Sequence, residues 1–122
     1  MDVVVAGLDH GNVVECSRGV KIQPDVALDT VNLDSVDMVI LPGGMAGAKA
    51  FAQSEKVKQI LNDMHQKGKW IAAICAAPIA LHAARIGFKS KLTSHPVVQK
   101  ELTSDYHYSE ERVVVDGHLI TR

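Results

Sequence analysis

The chain holds 122 residues, 47% of them hydrophobic, and its 13 basic against 14 acidic residues give a formal net charge of −1 at pH 7. That length suits one globular domain, and the balanced charge leaves neither a basic footprint for nucleic acid nor a polybasic patch for a membrane surface. No apolar run approaches the roughly 20 residues that span a bilayer, no signal peptide opens the chain, and its two cysteines, Cys16 and Cys75, form no CxxC, a pattern expected of a reduced, cytoplasmic setting, with nucleus and mitochondrion as alternatives.

Val3 to Leu8 reads as the first strand, and Asp9-His10-Gly11-Asn12 as a turn cluster. Val13 to Cys16 and Val20 to Ile22 flank Ser17-Arg18-Gly19 as a hairpin, and Pro24-Asp25 breaks the pattern. Asp37 to Leu41 is a core strand running into the glycine-rich loop Pro42-Gly43-Gly44-Met45-Ala46-Gly47. Ser54 with Glu55 marks a helix start, and Val57, Ile60, Leu61 and Met64 carry its apolar face as far as Gly68. Lys69 to Ile74 is a short buried strand. Cys75-Ala76-Ala77-Pro78 then turns into a helix that runs from Ile79 to Ile86 and stops at Gly87. Thr93-Ser94-His95-Pro96 opens a short helix from Val97 to Leu102, and Arg112 to Val115, Asp116-Gly117 and His118 to Thr121 form a closing hairpin. Strands alternating with helices predict an α/β fold with a mostly parallel sheet flanked by helices. In such sheets the site lies beyond the strand C-termini, where both Cys75 and the Gly43-Gly44 loop fall.

Cys75 is the candidate nucleophile. It sits at a strand-to-helix turn, as in a nucleophile elbow with Cys for Ser, and a helix N-terminus favours anions and with them the thiolate. Position alone fits a buried core thiol equally well. The GGxxG spacing from Gly43 to Gly47 lacks the dinucleotide fingerprint, so it fits an oxyanion-donating or steric loop better than a phosphate cradle. His10, His65, His82, His107 and His118 have no ligand spacing, so no metal and no cofactor are expected.

The elbow Ala72-Ala73-Ile74-Cys75-Ala76-Ala77-Pro78 is similar to that of the ThiJ/PfpI superfamily, nearest its Parkinson-disease-associated "DJ-one" branch. Val5-Ala6-Gly7-Leu8, Cys16-Ser17-Arg18, Leu41-Pro42-Gly43-Gly44 and Ser94-His95-Pro96 agree in order and spacing, so the resemblance covers essentially the whole chain. It implies a flavodoxin-like fold related to class I glutamine amidotransferases. It also implies Cys75 as the oxidisable nucleophile, the Gly44 and Ala76 amides as an oxyanion or sulfinate pocket, His95 near the thiol, and Arg18 as positive charge around the pocket. The activities it implies are glyoxalase or deglycase chemistry on methylglyoxal or glycated thiols and amines, with an oxidative-stress role and a homodimer. The alternatives are a redox-sensing, chaperone-like protein working through cysteine sulfinate, or an inactive fragment. Ala76 stands where the protease-like branch carries histidine, which argues against peptidase activity. The resemblance further predicts that residues 1–122 are one partial domain, with the family's first strand and its glutamate before Met1 and closing helices after Arg122. A chain so shortened is expected to be weakly active and to self-associate.

Overall fold

Short runs of alternating apolar residues build the sheets, and glycine and proline turns cut them apart. The computed structural model describes residues 1–122. Its strands are β1 (Ala6–Gly7), β2 (Val14–Glu15), β3 (Lys21–Ile22), β4 (Val26–Ala27), β5 (Met38–Leu41), β6 (Trp70–Ala73), β7 (Lys91–Leu92), β8 (His107–Tyr108), β9 (Val114–Asp116) and β10 (Leu119–Thr121). The α-helices are α1 (Met45–Gln53), α2 (Glu55–Gln66), α3 (Pro78–Ala83) and α4 (Gln99–Leu102). The chain divides into two compact units, Met1–Ser35 and Val36–Arg122.

In the first unit β1 pairs in parallel with β4, and β2 and β3 form an antiparallel hairpin around a 3₁₀ turn at Ser17–Gly19. The strand expected from Val3 to Leu8 shrinks to Ala6–Gly7 because a ladder needs a partner, and β4 offers only two residues. Just before the ladder, the Val5 N–H donates to the Asp25 carboxylate at 2.8 Å, and the Asp25 N–H returns to the Val5 carbonyl at 2.8 Å. The Pro24-Asp25 break is therefore the entry to β4.

The second unit carries a four-stranded sheet in the order β5-β6-β10-β9, parallel except for β9. This is the flavodoxin-like α/β arrangement, a mostly parallel sheet flanked by helices. Register sorts its two faces. Leu41, Ala73, Thr121 and Val114 form one row, with Ile71 and Leu119 beside them, and all are buried. The opposite row runs Ile40–Ala72–Ile120–Val115, with Met38 opposite Trp70. There Ile40 and Val115 are 61% and 59% exposed, although parallel sheets ordinarily cover both faces.

Helix α2 follows its sequence pattern. The Ser54 hydroxyl accepts the Val57 N–H at 3.2 Å as an N-cap, and Val57, Ile60, Leu61 and Met64 are buried. Helix α1 was not expected, since Gly47 and four interspersed alanines give it little apolar periodicity. It forms by packing on α3, with Ala48 fully buried. The same Ser54 closes it, its N–H donating to the carbonyls of Ala50 and Phe51. Helix α3 is shorter than the Ile79 to Ile86 run, ending at Ala83 before Arg85 turns left-handed at φ 58°. The parallel pair β7–β8 was also unforeseen. In the final hairpin the two-residue turn is Gly117-His118, with Gly117 at φ 58°, so Asp116 belongs to the strand.

An aromatic cluster locks α3 to the loop before β8. Phe88 and Tyr106 meet edge to face at 5.5 Å, and the buried Tyr106 hydroxyl donates to the Ile86 carbonyl at 2.6 Å. Burial pushes the Tyr106 phenol above its ordinary range. On the rim of the cluster His82 Nε2 lies 2.8 Å from an Asp105 carboxylate oxygen. That contact, with a further hydrogen bond from the Ser104 hydroxyl, holds the Asp105 carboxyl below its usual value. A carboxylate lowered in the folded state stabilises it above the unfolded value, about 4, and the stabilisation is lost as pH falls through the lower folded value. Asp105→Asn should therefore lower the urea midpoint at pH 6 and leave it unchanged at pH 2. An equal loss at both pH values would show that Asp105 acts without its charge.

Candidate functional site

β6 ends at Ala73 and α3 begins at Pro78, so the chain must turn within Ile74–Ala77. Cys75 makes the turn with φ 65°, in the left-handed region. For a residue with a Cβ this costs about 1–2 kcal/mol and persists only when the surroundings impose it. They do so through two short backbone hydrogen bonds. The Cys75 N–H donates to the Arg122 carbonyl at 2.7 Å, and the His95 N–H donates to the Cys75 carbonyl at 2.7 Å. The end of β10 and the segment before α4 thus clamp the residue from two distant parts of the sequence.

Gly43, at the C-terminal end of parallel neighbour β5, closes the site from a third side. A Cβ on Gly43 would lie 2.8 Å from the Cys75 Cβ and 3.5 Å from its Sγ. Glycine is required because the thiol side chain occupies that space. Cys75 is half-buried, packed against the core cluster of Ala48, Ala76, Ile79, Leu92 and Val98. Gly44 follows with φ 97° and N-caps α1, its carbonyl accepting the Ala48 N–H at 2.9 Å. Neither the Gly44 N–H nor the Ala76 N–H donates a backbone hydrogen bond, and Ala76 is 1% exposed. A buried amide without a partner is rare in a folded protein. It is a donor held in reserve next to the cysteine in sequence.

His95 is exposed, and its Nδ1 accepts the Val97 N–H at 3.1 Å, capping the 3₁₀ turn Pro96–Val98. That leaves Nε2 as the free ring nitrogen, carrying the proton in the neutral ring. The main-chain contact of His95 with Cys75 is not visible in the sequence. The Thr93-Ser94-His95-Pro96 motif signals the helix start and says nothing of the amide. Of the residues expected at the site, Cys75, Gly44, Ala76 and His95 lie in the second unit. Arg18 lies in the first, exposed on the hairpin turn at φ 67°. Gly43 and the Arg122 carbonyl are site components that sequence reasoning missed. The paired glycines after β5 were the one available signal for Gly43.

The sequence model of the DJ-1/PfpI family matches residues 1–122. Protein dj-1beta of Drosophila melanogaster is 43% identical over 120 residues, covering 98% of this chain and 64% of that protein. Its crystal structure superposes with a TM-score of 0.93 over 97% of this chain. A protein named glutathione-independent glyoxalase DJR-1.2, from Caenorhabditis elegans, is 35% identical over 109 residues, 88% of this chain and 58% of its own length. A structure of Toxoplasma gondii DJ-1, described as oxidized, is 31% identical with a TM-score of 0.86, covering 98% of this chain and 65% of that one. The chain thus spans less than two thirds of the length of these relatives.

Gly43→Ala should disturb the site directly, since the nearest obstacle is a Cβ fixed to the backbone rather than a flexible tip. We expect a loss of about 1–3 kcal/mol in stability together with a severalfold change in the alkylation rate of Cys75 by iodoacetamide. Unchanged values of both would show that Gly43 does not set the thiol.

Proposed function

The chain belongs to the DJ-1/PfpI family, and on that premise we propose that it works as a cysteine-dependent, cofactor-free glyoxalase or deglycase on methylglyoxal or glycated thiols and amines. The observation that carries this reading is the strained, clamped Cys75 beside two amides without backbone partners. The named activity of the nematode relative supports it.

In this reading the Cys75 thiolate adds to the aldehyde carbon of methylglyoxal, forming a C–S bond and a hemithioacetal oxyanion. The Gly44 and Ala76 N–H groups donate to that oxygen as charge develops on it, and removing one such donor typically costs about 10²–10³ in rate. A proton then moves from the former aldehyde carbon to the neighbouring carbonyl carbon through an enediol, leaving a lactoyl thioester. Water hydrolyses the thioester to lactate and restores the thiol. Within this chain His95, through Nε2, is our candidate for the proton transfer, and Arg18 for anion attraction. We further propose a homodimer in the cytoplasm, where thiols stay reduced. No helix is long and apolar enough to cross a membrane.

A second reading, redox sensing through Cys75 sulfinate held by the same amides, is favoured by the Toxoplasma relative described as oxidized. Lactate formation from methylglyoxal separates the two. We expect the protein to form lactate and Cys75→Ala to fall to the uncatalysed rate. Undiminished turnover by Cys75→Ala would overturn both readings, whereas no turnover by either protein would leave the redox reading.

A further inference from the structure

Beside the elbow lies a hollow of about 400 Å³, whose walls include Ser94, Gln99, Tyr108, Glu110, Arg112 and Arg122. It does not include the Cys75 side chain, but its walls adjoin the clamps on Cys75. The Arg122 carbonyl accepts the Cys75 N–H, and Ser94 precedes the His95 amide that binds the Cys75 carbonyl. The hydroxyls in the hollow are already spent. The Ser94 Oγ and Tyr108 OH lie 3.0 Å apart, Ser94 Oγ donates to the His95 carbonyl at 3.0 Å, and Tyr108 OH lies 3.0 Å from the Ser94 carbonyl. Glu111, also in the wall, is held by Lys91 at 3.2 Å.

What remains unengaged is charged. The Arg112 and Arg122 guanidiniums have no ion pair and no side-chain hydrogen bond, although Glu110 and Glu111 share the same walls. Two planar donor forks facing one polar hollow match an oxyanion, which each can bind bidentately. Gln99 adds a neutral amide, and only Glu110 opposes the two cations without a partner of its own. The volume lies within the range of small-molecule sites.

We propose that this hollow is a binding site for the carboxylate or phosphate group of a small molecule, held between Arg112 and Arg122 beside the Cys75 elbow. It does not depend on the carbonyl chemistry, and its test uses a protein in which that chemistry is switched off. The Cys75→Ser protein is titrated with inorganic phosphate and, separately, with acetate, while the arginine Nε–H signals are followed by NMR. The Arg112 and Arg122 signals should move together and saturably, and those of Arg18 and Arg85 should not. Arg112→Gln should weaken binding by roughly tenfold, and Glu110→Gln should tighten it by removing the opposing charge. Tighter binding of acetate would assign a carboxylate ligand, and of phosphate a phosphate monoester. Non-saturating shifts, equal shifts at all four arginines, or unchanged affinity in Arg112→Gln would overturn the proposal. Loss of lactate formation with intact anion binding would instead count against the enzymatic reading alone.

Discussion

The site depends on one residue being held where it does not rest on its own. Cys75 has a Cβ and a left-handed backbone, and three separate elements are needed to keep it there. β10 supplies the carbonyl that takes its N–H, the segment before α4 supplies the amide that meets its carbonyl, and β5 ends in a glycine that leaves room for its side chain. Each comes from a different stretch of sequence, so the elbow exists only once the parallel sheet has formed. The parallel register of β5, β6 and β10 brings their C-terminal ends level. That alignment turns a local strain of about 1–2 kcal/mol into a fixed position for a thiol.

The packing follows the same logic. The buried face of the sheet and the α1–α3 contact make a rigid floor beneath Cys75, with Ala48 and Ala76 small enough to let backbone and helix approach. Bulkier side chains there would push the elbow outward. The exposed apolar row through Ile40 and Val115 is the converse, a surface that nothing in residues 1–122 covers.

Much of this was legible in the sequence where the signal is local. The run from Lys69 to Pro78 announces a strand, a turn and a helix start, Ser54 announces a cap, and Arg112 to Thr121 a hairpin. What escaped is what pairing creates. β4, β7 and β8 are two-residue strands that exist because a neighbour lies alongside. α1 is built of alanines whose helicity is settled by packing on α3. The residue types at the site were readable, but their contacts were not. His95 suggests ring chemistry, yet it meets Cys75 through its amide and uses its ring as a cap. Gly43 reads as loop flexibility, yet its role is to be absent at one point in space. The two arginines of the hollow lie ten residues apart on either side of a hairpin, and periodicity does not join them.

The claim at the centre of this account is that the elbow makes Cys75, rather than Cys16, the reactive thiol. Both cysteines are half-buried, so exposure alone does not separate them. Treating the folded protein with a small excess of peroxide and measuring both cysteine-containing peptides by mass spectrometry compares them directly. The account predicts sulfenic and then sulfinic acid accumulating at Cys75 while Cys16 stays reduced. Oxidation of Cys16 first, or of both at one rate, would contradict it.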